Sequence, residues 1–360
     1  MPAGSVSRAR RATLEPLRTD GPCLHLGIDE NGLGPVLGPL VVTGVAFRFE
    51  GPRPTSLGSL VGDSKDLVSH EDSSLGEAWA RALVAQQDGG EPASPAELIA
   101  RLCLDDEPTL RALCPSAAQQ ERGAAEPHHR FHPSEMCWPR QPDAFEADEA
   151  LVRRCKATLR GWSGQKVGGR FSRRTPLTFV GVRSSVVCAA RLNAAAREGR
   201  HRFLVDLHEM ERLVLDLHGA HRTSPSGDVA PVDAVCGKVG GMDFYGENFG
   251  PLSSRMFAIE LEDRRTSAYR FPGLGRVAFV QDADARDPLV GLASLVGKWL
   301  REVMMSRIVR WMRDAALPEH LGPNEIPSAS GYRDPNTKRF ISATELVRAH
   351  RGVPDRCFVR

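Results

Sequence analysis

The sequence predicts an α/β protein in which strands and helices alternate along the chain. Three observations carry this. An apolar approach, Leu24-His25-Leu26, leads into Gly27-Ile28-Asp29 and then into a β-prone run over 36–47. Strand-like runs at 178–183, 232–237 and 275–280 alternate with helical stripes at 203–218 and 289–313. Between about 88 and 176 the periodicity loosens, Gly, Pro and Ala become frequent, and helical pieces alternate with turn-rich stretches.

Bulk properties set bounds on function. A chain of 360 residues holds one large domain or two ordinary ones. Its formal charge of +2 is too small to announce a nucleic-acid partner, so any basic footprint must be local. Eight cysteines without repeated close pairing read as buried thiols of a reduced, cytoplasmic protein rather than a disulfide scaffold. No apolar run approaches membrane-spanning length, so no membrane partner is expected. Residues 1–20 are rich in Arg and small residues without an apolar signal core, and are read as a disordered leader.

The chemistry begins at Gly27-Ile28-Asp29-Glu30-Asn31-Gly32-Leu33-Gly34-Pro35. Neighbouring strand residues point to opposite faces. Asp29 and Glu30 therefore serve one site only if the strand stops or bulges there, and Gly32 and Gly34 permit such a turn. Paired carboxylates suit hard divalent cations; the plain alternative is an acidic surface turn.

Residues 24–49 read as a hairpin broken at Gly38-Pro39, and Asp63-Ser64-Lys65 as a turn before a helix over 74–87. Within that looser interval, 95–104 and 144–159 are helical. Cys114, His128, His129, His132 and Cys137 fit no regular zinc spacing. The block 153–174 has eight Lys or Arg and no acid, with Trp162 and Phe171 interleaved. It is either a groove for a nucleic-acid backbone or a solvated loop. After the third strand comes Leu192-Asn193, then a helix with Leu204, Leu207, Leu213, Val214 and Leu217 on one stripe. His208, His218 and His221 read as core or surface residues. A strand over 232–237 ends at Gly237. Asp233 lies at its start, and Asp243 follows beyond a glycine turn. Segments 256–261 and 267–271 suggest a hairpin. A further strand ends in Gln281-Asp282-Ala283-Asp284, before a helix containing Ala293-Ser294-Leu295-Val296-Gly297-Lys298.

In this order the segments resemble the type 2 ribonucleases H (ribonuclease HII). The carriers are Gly-Ile-Asp-Glu-x-Gly-x-Gly-Pro, Asp63-Ser64-Lys65, the 282–284 aspartates with the Ala293–Lys298 segment, Ser330-Gly331-Tyr332, and the closing Phe358-Val359-Arg360. The 330–338 segment is closest to the archaeal and eukaryotic branch. The resemblance implies a ribonuclease H-like fold with a mixed five-stranded sheet flanked by helices. It places the catalytic domain at 21–315, with the insertion at about 88–176, and a substrate-contacting segment at 316–360. It implies hydrolysis of the RNA strand of an RNA–DNA hybrid, or of ribonucleotide-containing duplex DNA, by a monomer using two Mg²⁺ or Mn²⁺ ions about 4 Å apart.

The same resemblance assigns Asp29, Glu30 and Asp284 to metal binding and catalysis. Gly32, Leu33, Gly34, Lys65, Lys298 and Tyr332 would face substrate. Two positions depart from the pattern. The third family aspartate falls on Gly237, and the arginine of the Gly-Arg-Gly turn, which reads the ribose 2′-hydroxyl, is Leu33. Asp282, two residues from Asp284 and so on the same face of a strand, is the candidate to replace the missing catalytic carboxylate. Two other readings stay open: a weakened or inactive nucleic-acid binder, and a different metal-dependent phosphoesterase.

Overall fold

The computed structural model describes residues 21–50, 53–61, 67, 72–114, 143–163, 177–222, 230–316 and 325–360. The leader, Lys65, His128, His129, His132, Cys137, Phe171 and the second half of the basic block lie outside these residues.

A seven-stranded sheet forms the centre, in the order β3-β2-β1-β4-β7-β6-β5. β1 (Cys23–Asn31), β2 (Leu40–Phe49) and β3 (Thr178–Val187) form an antiparallel meander. β4 (Val232–Gly237) and β7 (Gly275–Val280) run parallel to β1. The expected five strands are these five. Two more arise because β5 (Ala258–Glu262) and β6 (Thr266–Phe271) form the anticipated hairpin and then pair onto the edge of β7.

Alternation along β2 explains the two cores. Val41, Val45, Phe47 and Phe49 face one side; Leu40, Val42 and Ala46 face the other. On the first side lies α7 (Pro288–Ala315), with α1 (Ser74–Asp88), α2 (Pro95–Leu102) and α4 (Glu149–Trp162) outside it. Short α3 (Glu107–Ala112) follows α2. The other side holds α6 (Arg202–Arg222), through Leu207, Met210, Leu213, Val214 and Leu217. α5 (Ala189–Arg197) leads into it. The predicted stripe of α6 is thus its core face. Leu204, counted on it, is only half-buried. Burial of each large aliphatic side chain contributes about 1.5–3 kcal/mol.

The described helices between 88 and 176 add to this core rather than forming a separate one. Leu98, Ile99 and Leu102 of α2, and Val152, Cys155 and Leu159 of α4, are buried with Trp79 and Trp299. Trp162 stacks on Trp79 with ring centroids 5.2 Å apart, and its indole donates to the Leu57 carbonyl at 3.2 Å. It is therefore committed to packing, not free to interleave with bases.

Three short C-terminal helices, α8 (Pro335–Ala343), α9 (Glu345–Arg351) and α10 (Asp355–Phe358), cover the far half of α7. The chain then returns to the first glycine turn. Leu37 and Val359 form an antiparallel bridge, and the Arg360 amide donates to the Val36 carbonyl at 2.9 Å. Among the described residues, no helix is long and apolar enough to cross a membrane.

Candidate active site

Pairing between β1 and β4 ends at Ile28–Cys236, one residue before Asp29. β4 continues beside β7 as far as Gly237–Val280. A crevice therefore opens at the C-terminal ends of the parallel strands, the usual place for ligands in an open α/β sheet.

β1 does not stop at Asp29. It runs to Asn31 in unbroken register with β2, contrary to the condition set from sequence. Convergence is achieved differently. Ile28 and Cys236 face the α6 core, so Glu30 follows them to that side. Asp29 faces α7, where the Ser294 hydroxyl donates to it. Yet both carboxylates reach the end of β4. A Cβ built on Gly237 would stand 2.8 Å from Asp29 Oδ1 and 3.1 Å from Glu30 Oε2. With no side chain at 237, acids from opposite faces close over the strand end.

Charge accumulates there. Asp29 is only 9% exposed. Burial, then the Glu30 charge, then that of Asp284, push its carboxyl well above the usual carboxylate range; the Ser294 hydrogen bond opposes the shift. Asp284 is half-buried in the turn between β7 and α7. Asp287, three residues on, caps α7 through the amides of Leu289 and Val290 and is gripped by Arg53. That clamp fixes the turn carrying Asp284.

Asp282 is not on a strand, since β7 ends at Val280. It sits in the turn with φ 52°, its side chain 59% exposed and 3.9 Å from Arg286. The shared-face argument therefore fails, although Asp282 still borders the cleft. Asp233 lies at the far end of β4, buried between Arg276 at 2.7 Å and His25 at 3.4 Å. Asp243 does fold back, but onto Lys238 at 2.8 Å.

The cleft holds about 430 Å³ and is lined by Asp29, Glu30, the Gly32–Gly34 turn, Gly237, Asp284, Lys298, Arg301 and Tyr332. Glu302 also borders it and pairs with Arg301 at 3.1 Å. Arg301, 1% exposed, donates to the Ser330 carbonyl at 2.9 Å, and the Tyr332 ring lies 4.9 Å from its guanidinium carbon. Gly32, at φ 95°, has room for nothing larger, because a Cβ would meet the Pro39 carbonyl oxygen at 2.6 Å and Arg301 Nε at 2.7 Å. Arg360 donates to the carbonyls of Gly32 and Gly38. Burial, then Arg301 and Arg202, hold its guanidinium below the usual range. Leu33 rests partly on the α6-side core.

Tyr332 is presented by a knot in which Asp334 accepts from Ser330 Oγ at 2.6 Å and from the Thr337 amide at 2.9 Å. Gly331 receives the amides of Val36 and Leu37, tying this knot to the first glycine turn.

The sequence reading brought Asp29, Glu30, Gly32, Leu33, Gly34, Asp284, Lys298 and Tyr332 to this cleft, and the structure gathers all eight. It missed Arg301 and Arg360. One signal existed for Arg301: it stands three residues after Lys298 on a helix, hence on the same face. Arg360 was visible only as the end of the closing Phe358-Val359-Arg360 segment, not as a partner of the Gly32 and Gly38 carbonyls. A divalent cation fits the chemistry of Asp29, Glu30 and Asp284, which are oxygen donors crowded by like charge. Among the described residues, however, no three acid, His or Cys side chains form a ready cluster. The fit is in charge and donor type, with an open side at Gly237.

Fold and site together define an α/β protein with an acid-and-base-lined cleft at the ends of parallel strands. No family model matches the chain, and no curated protein does. Solved structures do. The ribonuclease HII of Archaeoglobus fulgidus, in a complex with PCNA, aligns over 93% of both chains at 15% identity and a TM-score of 0.37. Ribonuclease H2 of Pyrococcus horikoshii OT3 aligns over 93% of this chain and 92% of its own, at 13% identity and 0.35. Bst-RNase HIII in complex with Mn²⁺ covers 90% of this chain and 71% of its own, at 12% identity and 0.36.

Proposed function

We propose that this protein is a divalent-cation-dependent nuclease of the ribonuclease H type, cutting the RNA strand of RNA–DNA hybrids at a site one carboxylate short of the family pattern. The observation that carries the reading is the meeting of Asp29 and Glu30 at Gly237, with Asp284 and Lys298 in the same cleft. The order β3-β2-β1-β4-β7, antiparallel then parallel, supports the ribonuclease H-like assignment.

Asp29, Glu30 and Asp284 would hold the cation. Bound there, Mg²⁺ or Mn²⁺ supplies a nucleophilic water at neutral pH and neutralises charge building on the phosphate. The protein's own groups do the rest. Lys298 would face a phosphate in the cleft, while Arg301, buried and committed to Glu302 and to the Ser330 carbonyl, holds the loop that presents Tyr332. Gly32 and Gly34 let backbone groups approach a ribose 2′-hydroxyl, the atom that separates RNA from DNA. Tyr332 offers a flat ring to the sugar. With Leu33 lacking a charged head, discrimination rests on those backbone groups. Asp282, exposed at the rim, is left out of the cation set.

A second reading, a binder with little catalysis, is favoured by Gly237 itself. The deciding experiment is cleavage of a labelled RNA–DNA hybrid, and of duplex DNA with one ribonucleotide, in Mg²⁺ and in Mn²⁺, beside Asp29→Asn. Cleavage lost in Asp29→Asn supports the nuclease. Salt-sensitive hybrid binding with no cleavage in either ion would leave the binder.

A further inference from the structure

Asp206 lies one turn into α6 (Arg202–Arg222) and is fully buried. Neither carboxylate oxygen accepts a hydrogen bond from any described residue. Leaving such a group without a partner is costly, and a buried unpaired carboxylate calls for something to use it. The charges that act on it are Asp29 first and Glu209 second, both of its own sign. Glu209 is already committed, to Ser185 Oγ at 2.7 Å and to Arg212 Nη1 at 2.7 Å. Asp206 is not.

Its place in the fold is informative. The thiol of Cys236, the residue before Gly237, feels both Asp206 and Asp29. Cys236 and Ile28 face α6, the side to which Glu30 also points. Asp206 is therefore on the side of the sheet opposite α7, outside the cleft lining but close enough for its charge to act on Cys236 and for that of Asp29 to act on it. The cleft is lined by Asp29, Glu30 and Asp284, and at position 237 it has no side chain at all.

We propose that Asp206 is a further carboxylate of the cation site, acting on the ion from the α6 side of the sheet and making up the negative charge that position 237 lacks. The proposal rests on the divalent-cation reading above. It explains why one acid can be missing from a strand end while another is buried without a partner one helix away. A purely structural acid at this position would do better as an apolar residue of similar size.

The test is calorimetric titration of Mn²⁺ into the full-length protein, with thermal unfolding of each metal-free variant alongside. Asp206→Asn keeps the shape and removes the charge, and Asp206→Leu serves should the amide variant not fold. Both are expected to weaken Mn²⁺ binding by about tenfold or more, as loss of a supporting carboxylate does. Asp206→Leu should also raise the metal-free melting temperature. Adding Gly237→Asp to Asp206→Asn should restore affinity. Variants that bind Mn²⁺ within about twofold of the parent overturn the role of Asp206 and leave the cation reading standing. A parent that takes up no Mn²⁺ overturns both.

Discussion

Gly237 and Asp29 meet at the end of β4, where a single added carbon would come within 2.8 Å of the Asp29 carboxylate. The nearest atom is the end of a side chain, not backbone, so a larger residue can enter if Asp29 yields slightly. Gly237→Asp should therefore fold. Without metal it should be less stable, because another like charge joins a crowded group. With Mn²⁺ it should gain more in melting temperature than the parent does. Thermal unfolding at rising Mn²⁺ measures both, and an unchanged metal response would count against 237 as a ligand position.

Asp282 has a left-handed backbone conformation and an exposed side chain. Glycine adopts that conformation without the Cβ penalty. Asp282→Gly is expected to leave stability unchanged or raise it by up to about 1 kcal/mol. It should not alter Mn²⁺ affinity. Denaturant unfolding and metal titration of this variant decide whether Asp282 supplies the carboxylate that position 237 lacks.

Tyr332 is 40% exposed and rests over the Arg301 guanidinium. Tyr332→Ala should weaken hybrid binding by about 1–3 kcal/mol if a nucleotide stacks there. Its melting temperature should fall only modestly, since the ring lies in part at the surface and loses chiefly its contact with Arg301. Fluorescence anisotropy with a labelled hybrid reads the first effect and calorimetry the second.

Arg360 joins the C-terminal residues to the loop that carries Gly32 and Gly38. Arg360→Ala removes charged donors from buried carbonyls and should cost about 1–3 kcal/mol in urea unfolding. Hybrid affinity should fall with it, because the Gly32–Gly34 turn loses its anchor. Wild-type stability in this variant would show that Val359 and the Val36 bond suffice.

Glu211 sets a pH dependence away from the cleft. Burial raises its carboxyl to about 7, against the pull of hydrogen bonds from the Leu252 and Gly250 amides. The folded state therefore holds this proton more tightly than the unfolded state, whose value is near 4.5. Its contribution to stability is complete below the unfolded value and is lost as pH rises through about 7. Glu211→Gln should stabilise the protein at pH 8, by on the order of 1 kcal/mol, and have little effect near pH 4. Parallel stability curves for parent and variant would contradict this.

Much of this architecture was legible along the chain. The strands at 178, 232 and 275 and the helices at 74, 203 and 289 begin within a residue or so of their expected starts. Alternation and helical periodicity are local properties, and each strand or stripe had enough residues to show them. The β5–β6 hairpin was also visible. Its attachment to β7 was not, because pairing partners are chosen across space.

The site divides in the same way. Asp29, Glu30, the glycine turn, Asp284, Lys298 and Tyr332 could be named from their order in the chain. Their convergence could not, and the reason expected for it was wrong. β1 runs on through Asp29 and Glu30, and it is the loss of its β4 neighbour, together with the empty position at Gly237, that lets opposite faces meet. Asp282 failed as a strand residue because the strand had already ended.

By itself, then, the sequence determined the class of fold, the run of elements and the chemical types gathered in the cleft, since these depend on residue patterns within a few turns of chain. Only the tertiary structure decided that Arg301 borders the cleft, that Arg360 reaches the Gly32 and Gly38 carbonyls, that Trp162 packs inward, and that Asp206 lies buried on α6 within reach of the Asp29 charge. Those placements follow from contacts between segments distant in sequence, where burial and charge act through space and leave no periodic mark.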